Sequence, residues 1–323
     1  GLPNPYLLVR PSLTEEAVST SALEGTYAAI EDVFQAELFE ESELPPDLIE
    51  VRNYIRAAEH GLKLIEKLPI CLRLVKEAHR DLMRGGRGDS AEIGEFRKRQ
   101  NWIGRRGDPV TEAVFVPPPA GPPLDHGLRD WERWVNESHE LPTVVQVALA
   151  HYQFETLHPF IDGNGRVGRL IAVLTFIASG ALRLPLLNPS RFLKEHKDEY
   201  MDHLRRVSRT GEFEPWIRFF AGAIRVQSDR SRTRSEQLSA LHRAIIERLR
   251  ESGIHGVALR IADDLLGSPA VNPTLSAEKY EVSYVTANHA IKRLVDLGVL
   301  AEITGRSYRR IFACTDVYRI LSE

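Results

Sequence analysis

Cysteine is nearly absent from this chain. Cys71 and Cys314 are the two among 323 residues, too few for a disulfide framework, and such usage suits a reducing compartment. A dominant charge is missing as well: the formal net charge is −3 at pH 7, which predicts no general affinity for nucleic acid or for a membrane surface. No apolar run approaches the length that crosses a bilayer. The start, Gly1-Leu2-Pro3-Asn4-Pro5-Tyr6, lacks the charged-then-apolar pattern of a secretory signal, so the expected location is cytoplasmic. What remains is globular material, 43% hydrophobic and 27% charged, with room for two or three domains.

Against that background one stretch is dense in chemistry: His158-Pro159-Phe160-Ile161-Asp162-Gly163-Asn164-Gly165-Arg166-Val167-Gly168-Arg169. It holds a general-base candidate in His158, a hard-metal ligand in Asp162 and two guanidinium groups at short spacing. Gly163 and Gly165 bracket Asn164, so the backbone can pass through positive φ and aim successive N–H groups inward as a nest for anions. The apolar run Leu170–Ile177 then reads as a buried helix whose positive N-terminus faces the same anion. Gly-Asn-Gly alone is a turn, and two arginines at i, i+3 are ordinarily a solvated face. Their combination against so apolar a helix has no packing purpose and points to a polyphosphate.

Three other segments belong to the same reading. His151–Leu157 has the apolar spacing of a helix that delivers His158 to a loop. Phe96–Gly104 and Ala113–Pro119 flank a turn at Arg105-Arg106-Gly107-Asp108-Pro109 and read as a two-stranded hairpin whose prolines forbid further pairing on one side. Thr20-Ser21-Ala22-Leu23-Glu24-Gly25 reads as a helix segment with Thr20 and Glu24 on one face at i, i+4.

The stretch from His158 to Arg169 resembles the signature of the Fic (filamentation induced by cAMP) family, histidine-x-phenylalanine-x-acidic-Gly-Asn-Gly-Arg-x-x-arginine, at every specified position. The resemblance implies a protein adenylyltransferase that moves AMP from ATP, with Mg²⁺, to a Ser, Thr or Tyr hydroxyl of a protein, itself included. His158 would be the base and Asp162 the Mg²⁺ ligand. Gly163, Asn164, Gly165 and Arg166 would serve the α- and β-phosphates, Arg169 the γ end, and Phe160 would pack beneath the loop. The hairpin would be the flap that holds a target segment extended, through Ile103, Gly104, Phe115, Val116 and Pro117. Thr20, Glu24 and Gly25 match the family's inhibitory motif, which implies that Glu24 pairs with Arg169 and denies it to ATP. Many members carry two adjacent tyrosines where this chain has Tyr200-Met201, and Met201 departs from that pattern. Removal of AMP, with Glu24 placing a water, stays open beside transfer, as do nucleotides such as UTP. A DNA-binding regulator with a nucleotide-sensing site is the reading from another class, and an intact His158 counts against it.

The fold implied is all-α: a Fic helical bundle with a β-hairpin flap, followed by a small winged-helix (α+β) domain. The expected parts are an N-terminal helical region over 1–90, a catalytic core over 91–227, a connector over 228–237 and a winged helix over 238–323. A helix is expected to start at Pro69 and to end at Gly85-Gly86, and Trp131 and Trp134 are read as core. Ser228–Gln237, rich in Ser and Arg, marks a solvated connector or helix end. Beyond it, Ala240–Leu249, Ala258–Leu266 and Ser283–Leu297 have helical patterns, and Val299–Ala313 alternates as a hairpin. Between Leu238 and Glu323 stand 11 basic and 10 acidic residues, a net of +1, which predicts weak DNA binding at most and favours protein docking or homodimer formation.

Overall fold

Apolar residues at helical spacing organise most of this chain. The computed structural model describes residues 5–85, 92–104, 109–306 and 309–323, and 67% of it is helix. The N-terminal part contributes α1 (Val9–Leu23), α2 (Ile30–Ala36), α3 (Pro46–Ile65) and α4 (Leu72–Met83). Next come α5 (Pro122–Asn136), α6 (Thr143–Leu157), α7 (Asn164–Ala178), α8 (Pro189–Glu195) and α9 (Lys197–Thr210). The long α10 (Phe213–Glu251) leads into α11 (Val257–Asp264), β1 (Ala270–Val271), α12 (Pro273–Tyr280) and α13 (Tyr284–Asp296). The chain closes with β2 (Ala301–Glu302), β3 (Phe312–Ala313) and α14 (Thr315–Ser322). Among the described residues no helix is long and apolar enough to cross a membrane.

Beyond Arg169, helix α7 is apolar on nearly every side, and a helix of that kind must lie inside. Val167, Leu170, Ile171 and Leu174 face one core with Tyr54 and Ile55 of α3, Leu74 and Leu82 of α4, Leu128 and Trp131 of α5 and Phe154 of α6. Ala172 and Phe176 face a second core with Val147, Leu193, Tyr200, Trp216 and Phe220. Trp131 is buried, as read from the sequence, and donates Nε1–H to the Ala150 carbonyl at 3.0 Å. Trp134 is half-buried and lies against His139.

The C-terminal unit has a three-stranded antiparallel sheet in the order β1-β3-β2, with Ala313 opposite both Ala270 and Ala301. Asn272 and Ser283 cap α12 and α13, accepting from Leu275 N–H at 2.8 Å and Thr286 N–H at 3.1 Å. Its core also takes in Leu8, Ile30 and Phe34 from the other end of the chain, so the two ends fold together.

Several local expectations change. The first strand, α12 and α14 are additional to the sequence reading. Helix α4 begins at Leu72 rather than Pro69: Ile70 is buried in the core, and the carboxylate of Glu132 accepts the Leu72 N–H at 2.7 Å. At its end Gly85 takes φ +63°, and Gly86 lies outside the described residues. The expected hairpin contracts to a single bridge, Ile103 with Phe115, next to a short 3₁₀ turn at Val110–Glu112. Pro117, Pro118 and Pro119 have no N–H to extend the ladder, and the turn residues 105–108 lie outside the described residues. The stretch 228–237 is helical throughout, inside the 39-residue α10, which spans roughly 58 Å at 1.5 Å per residue. Tertiary ion pairs override its polarity: Arg230 reaches Glu195 at 2.7 Å, and Arg234 pairs with Glu15 of α1.

Phe34 is 2% exposed in the shared core, 6.1 Å from the Tyr318 ring. Phe34→Ala should therefore destabilise the chain by about 3–5 kcal/mol, the usual range for a buried aromatic. Urea unfolding checks this, and a loss under about 1 kcal/mol would show that the ends do not pack together.

Candidate active site

The stretch of dense chemistry lies where α6 stops and α7 starts. Helix α6 cannot run past Pro159, which has no N–H and disfavours helix at the preceding residue. His158 accordingly turns left-handed, at φ 47° and ψ 59°. Phe160 plugs into the core below, fully buried, with His79 of α4 stacked flat on its ring at 3.8 Å. The His79 ring is neutral: burial pushes it down to about 4. Its Nδ1 accepts from Gly94 N–H at 2.9 Å, which leaves Nε2–H to donate to the Asp162 carbonyl at 3.1 Å. Gly163 then takes φ +76° to open α7, a position where any Cβ would be strained and would crowd Met83.

Asn164 differs from its expected role. Its amide is closed on the loop, with Oδ1 accepting from Phe160 N–H and Nδ2 donating to Phe160 O, both at 2.8 Å. It holds the turn shut, so the anion-facing groups are the backbone N–H groups at the start of α7. Arg166 is buried, with Nη1 donating to Glu50 Oε2 at 3.3 Å and Nη2 near Met83 Sδ at 3.8 Å and Asp162 Oδ1 at 4.0 Å. Asp162 alone of the motif's charged side chains is largely exposed, at 67%, with Oδ1 accepting from Gly163 N–H at 2.6 Å.

Above the start of α7 lies a cavity of about 370 Å³. His158, Gly165 and Arg169 form its floor, Met201, Leu204 and Arg205 of α9 one wall, and Ile103, Gly104, Val114 and Phe115 the opposite lip. The flap residues Val116 and Pro117 stand apart from the lining; Val116 is exposed, and Pro117 O accepts from the Gln100 side chain at 3.0 Å. Tyr200 lines the cavity but is tied to His151 Nε2 at 2.9 Å, so Met201 and Leu204 present the apolar surface there.

Arg169 is 3% exposed and points from α7 to the C-terminal end of α1. Its Nε donates to Thr20 Oγ1 at 2.7 Å and its Nη2 to Glu24 Oε1 at 2.6 Å. Burial works to raise the Glu24 carboxyl, but the Arg169 charge and hydrogen bond, with Arg166 and Lys197 behind them, hold it below the usual carboxylate range. Gly25 closes α1 at φ +88° and donates to Ala22 O at 3.1 Å, which leaves Glu24 on the rim. A Cβ on Gly165 would collide with Glu24 Oε1, so that glycine admits the carboxylate to the very place an anion would take at the N-terminus of α7.

The environment of the base candidate disfavours its charged form. Burial, with the Arg97 charge adding to it, pushes the His158 imidazole down to about 4, against the opposing pull of the Glu155 carbonyl, Glu24 and Asp162. Glu155, also on the cavity wall, is pushed up to about 7 by burial despite Arg169. Glu155, Lys197, His79 and Arg97 all escaped the sequence reading. Lys197 donates to the Leu23 carbonyl at 2.7 Å and so caps α1. A histidine on the apolar stripe Val75, Leu82 and Met83 of α4 was the one visible signal for His79.

Comparison with known proteins places this geometry. A model of the Fic/DOC family matches residues 69–176, and one of the Fic/DOC family N-terminal region matches residues 1–63. Over 171 residues, 52% of this chain, it is 34% identical to the protein adenylyltransferase Fic of Drosophila erecta and 32% identical to that of Drosophila melanogaster. The match covers 30% of the length of those curated relatives. A Fic family protein from Desulfovibrio desulfuricans G20 superposes over 94% of this chain and 87% of its own with a TM-score of 0.59 at 21% identity. A fragment of Fic-1 from C. elegans superposes over 71% of this chain and 63% of its own with a TM-score of 0.51 at 23% identity. At that identity the two structures speak to the fold.

Because burial disfavours the imidazolium, the His158 ring in the free chain should titrate near 4 rather than near the ordinary value of about 6.5. It would then be neutral, and able to accept a proton, throughout the range above about pH 5. Histidine ring NMR across pH 3.5–8 checks this; a midpoint at or above about 6 would mean that the ring stands in water.

Proposed function

We propose that this chain, which belongs to the Fic/DOC family, transfers AMP from ATP to a Ser, Thr or Tyr hydroxyl of a protein and restrains itself through Glu24. The observation that carries the reading is Arg169, held by Thr20 and Glu24 at the floor of a cavity that it shares with His158. The name of the curated relatives, protein adenylyltransferase, supports the chemistry.

In the proposed reaction the acceptor oxygen attacks the α-phosphorus of ATP. The bond from that phosphorus to the bridging oxygen breaks, and pyrophosphate leaves. His158 takes the hydroxyl proton, with Nε2 as acceptor if the buried Nδ1 carries its own hydrogen toward the Glu155 carbonyl. The N–H groups at the start of α7 face the developing phosphate charge, and Arg169, once released, orients the γ end. The residues present fit Mg²⁺: Asp162 offers a hard, exposed carboxylate beside the anion loop, and Mg²⁺ is commonly held by one or two carboxylates together with substrate phosphates. Bound there, the ion would neutralise charge on the α- and β-phosphate oxygens. Met201 and Leu204 would lie against the base.

The parts proposed are an N-terminal region over 1–90, a catalytic core over 91–227 and a winged helix over 238–323, joined through 228–237. The helix–strand–helix–helix–strand–strand order from α11 to β3 supports the last of these. Its second helix of the pair, α13, presents Tyr284 and Val285, 54% and 75% exposed, rather than a basic row, and Arg309 of the wing pairs with Glu43 at 2.9 Å. That favours a protein partner or a second copy over DNA, which it would bind weakly at most. The free cysteines Cys71 and Cys314 suit a reducing compartment, and the cytoplasm is the location proposed.

Glu24→Gly should raise both ATP affinity and self-labelling. A charge-assisted contact regained by Arg169 is worth about 1.5–3 kcal/mol, roughly a ten- to hundredfold effect. Arg169→Ala in the same chain should erase most of the gain. Calorimetry with ATP and labelling with α-labelled ATP read the two effects, and a Glu24→Gly chain no more active than its parent refutes the restraint.

Replacing the base separates chemistry from binding. His158→Ala in the Glu24→Gly chain should stop transfer while ATP binds nearly as before, since His158 is placed for proton removal. Labelling that continues at the parental rate would take the base role away from His158.

A further inference from the structure

Arg97 is a buried guanidinium, 2% exposed, to which no carboxylate is bonded among the described residues. Its partners are backbone carbonyls. Nε donates to His158 O at 2.9 Å, and Nη2 donates to Leu157 O at 3.3 Å and to Pro118 O at 2.5 Å. Nη1 reaches Arg99 O at 3.4 Å, and the backbone N–H of Arg97 donates to Pro159 O at 2.9 Å. Leu157 and His158 end α6, so their carbonyls form the negative pole of that helix and supply the compensation a carboxylate would otherwise give. Pro118 lies on the other side of the site, three residues past the flap's bridge residue Phe115. One side chain thus joins the base-bearing turn to the flap.

Both structures that Arg97 joins are weak alone. His158 is a non-glycine residue at φ 47°, a conformation that persists only where the surroundings over-determine it. Among the described residues the flap has a single bridge, backed by Gln100 to Pro117 O and by Asn101 to Phe160 O at 2.8 Å. We infer that Arg97 is a positioning residue that makes flap and base one mechanical unit, so that an extended target segment lying along the flap and the working orientation of His158 stabilise each other. A planar fork with several donors spans four carbonyls at once; a lysine ammonium at the end of a flexible stem does not. The charge of Arg97 adds to burial, the larger cause, in disfavouring the His158 imidazolium.

The inference rests on the adenylyltransferase reading for its catalytic meaning, and two of its readouts are independent of that reading. In the full chain carrying Glu24→Gly, Arg97→Lys keeps the charge and loses the fork. It should leave ATP affinity within about twofold and the His158 titration unchanged, expose the Val114 and Phe115 amides to faster hydrogen exchange, and slow transfer at saturating ATP by tenfold or more, the scale of effect expected when reacting groups are misplaced. Arg97→Gln loses the charge too, and should also move the His158 titration upward. Flap protection and transfer rate both at parental levels in the lysine chain would overturn the inference, as would a His158 titration that stays put in the glutamine chain. In the unmodified chain, the His158 ring and the Val114 and Phe115 amides should report one exchange process by relaxation dispersion, and two unrelated rates there would overturn the inference whether or not the variants fold. If the Glu24→Gly chain transfers no AMP, the function reading fails, while exchange and titration still decide the role of Arg97.

Discussion

A guanidinium taken out of water must be given anions or carbonyls, and the buried Arg169 sets that requirement at the centre of this protein. The carboxylate of Glu24 and the hydroxyl and carbonyl of Thr20 converge on it. On the proposed reading the same group would hold the end of a triphosphate. Restraint and substrate binding would then be two solutions to one desolvation problem, and they would exclude each other because both use the one guanidinium.

Around that centre the loop is held by the backbone more than by its charged side chains. Asn164 shuts the turn on Phe160, His79 holds the Asp162 carbonyl, Asn101 holds the Phe160 carbonyl and Arg97 holds those of Leu157 and His158. Asn164, His79 and Arg97 are buried with these partners supplied, and buried polar groups paired in this way rigidify what they span. His158 and Arg169 line the cavity, and Asp162 stands exposed beside the loop.

The motif residues were legible because the chemistry of phosphate handling needs His, Asp, Gly and Arg at short spacing, and the apolar run of α7 announced its own burial. The pairing of Glu24 with Arg169 came from resemblance, and the geometry agrees with it. What escaped was whatever depends on tertiary partners. Arg166 and Asn164 look like phosphate ligands in one dimension, and only the folded chain reveals Glu50 beside the first and the Phe160 backbone beside the second. Arg97 sits in a basic run, Phe96–Arg99, where nothing distinguishes it from the exposed Lys98 and Arg99. The polar 228–237 stretch stays helical because Glu195 and Glu15, distant in sequence, hold it.

Helix α1 has an unusual constitution for a restraining element: Ser12, Glu15, Glu16 and Thr20 are buried along with Leu13 and Ala17, and Glu15 is tied to Arg191 and Arg234. Its body belongs to the core, and withdrawing it would mean partial unfolding. Glu24 alone stands on the rim, where reorientation of one side chain takes picoseconds to nanoseconds rather than the far longer times of helix displacement. Under the proposed restraint the off state would be an occupancy equilibrium of one side chain. Basal output would then follow the fraction of time one carboxylate spends swung away, a quantity that local anion concentration would adjust without any rearrangement of the fold.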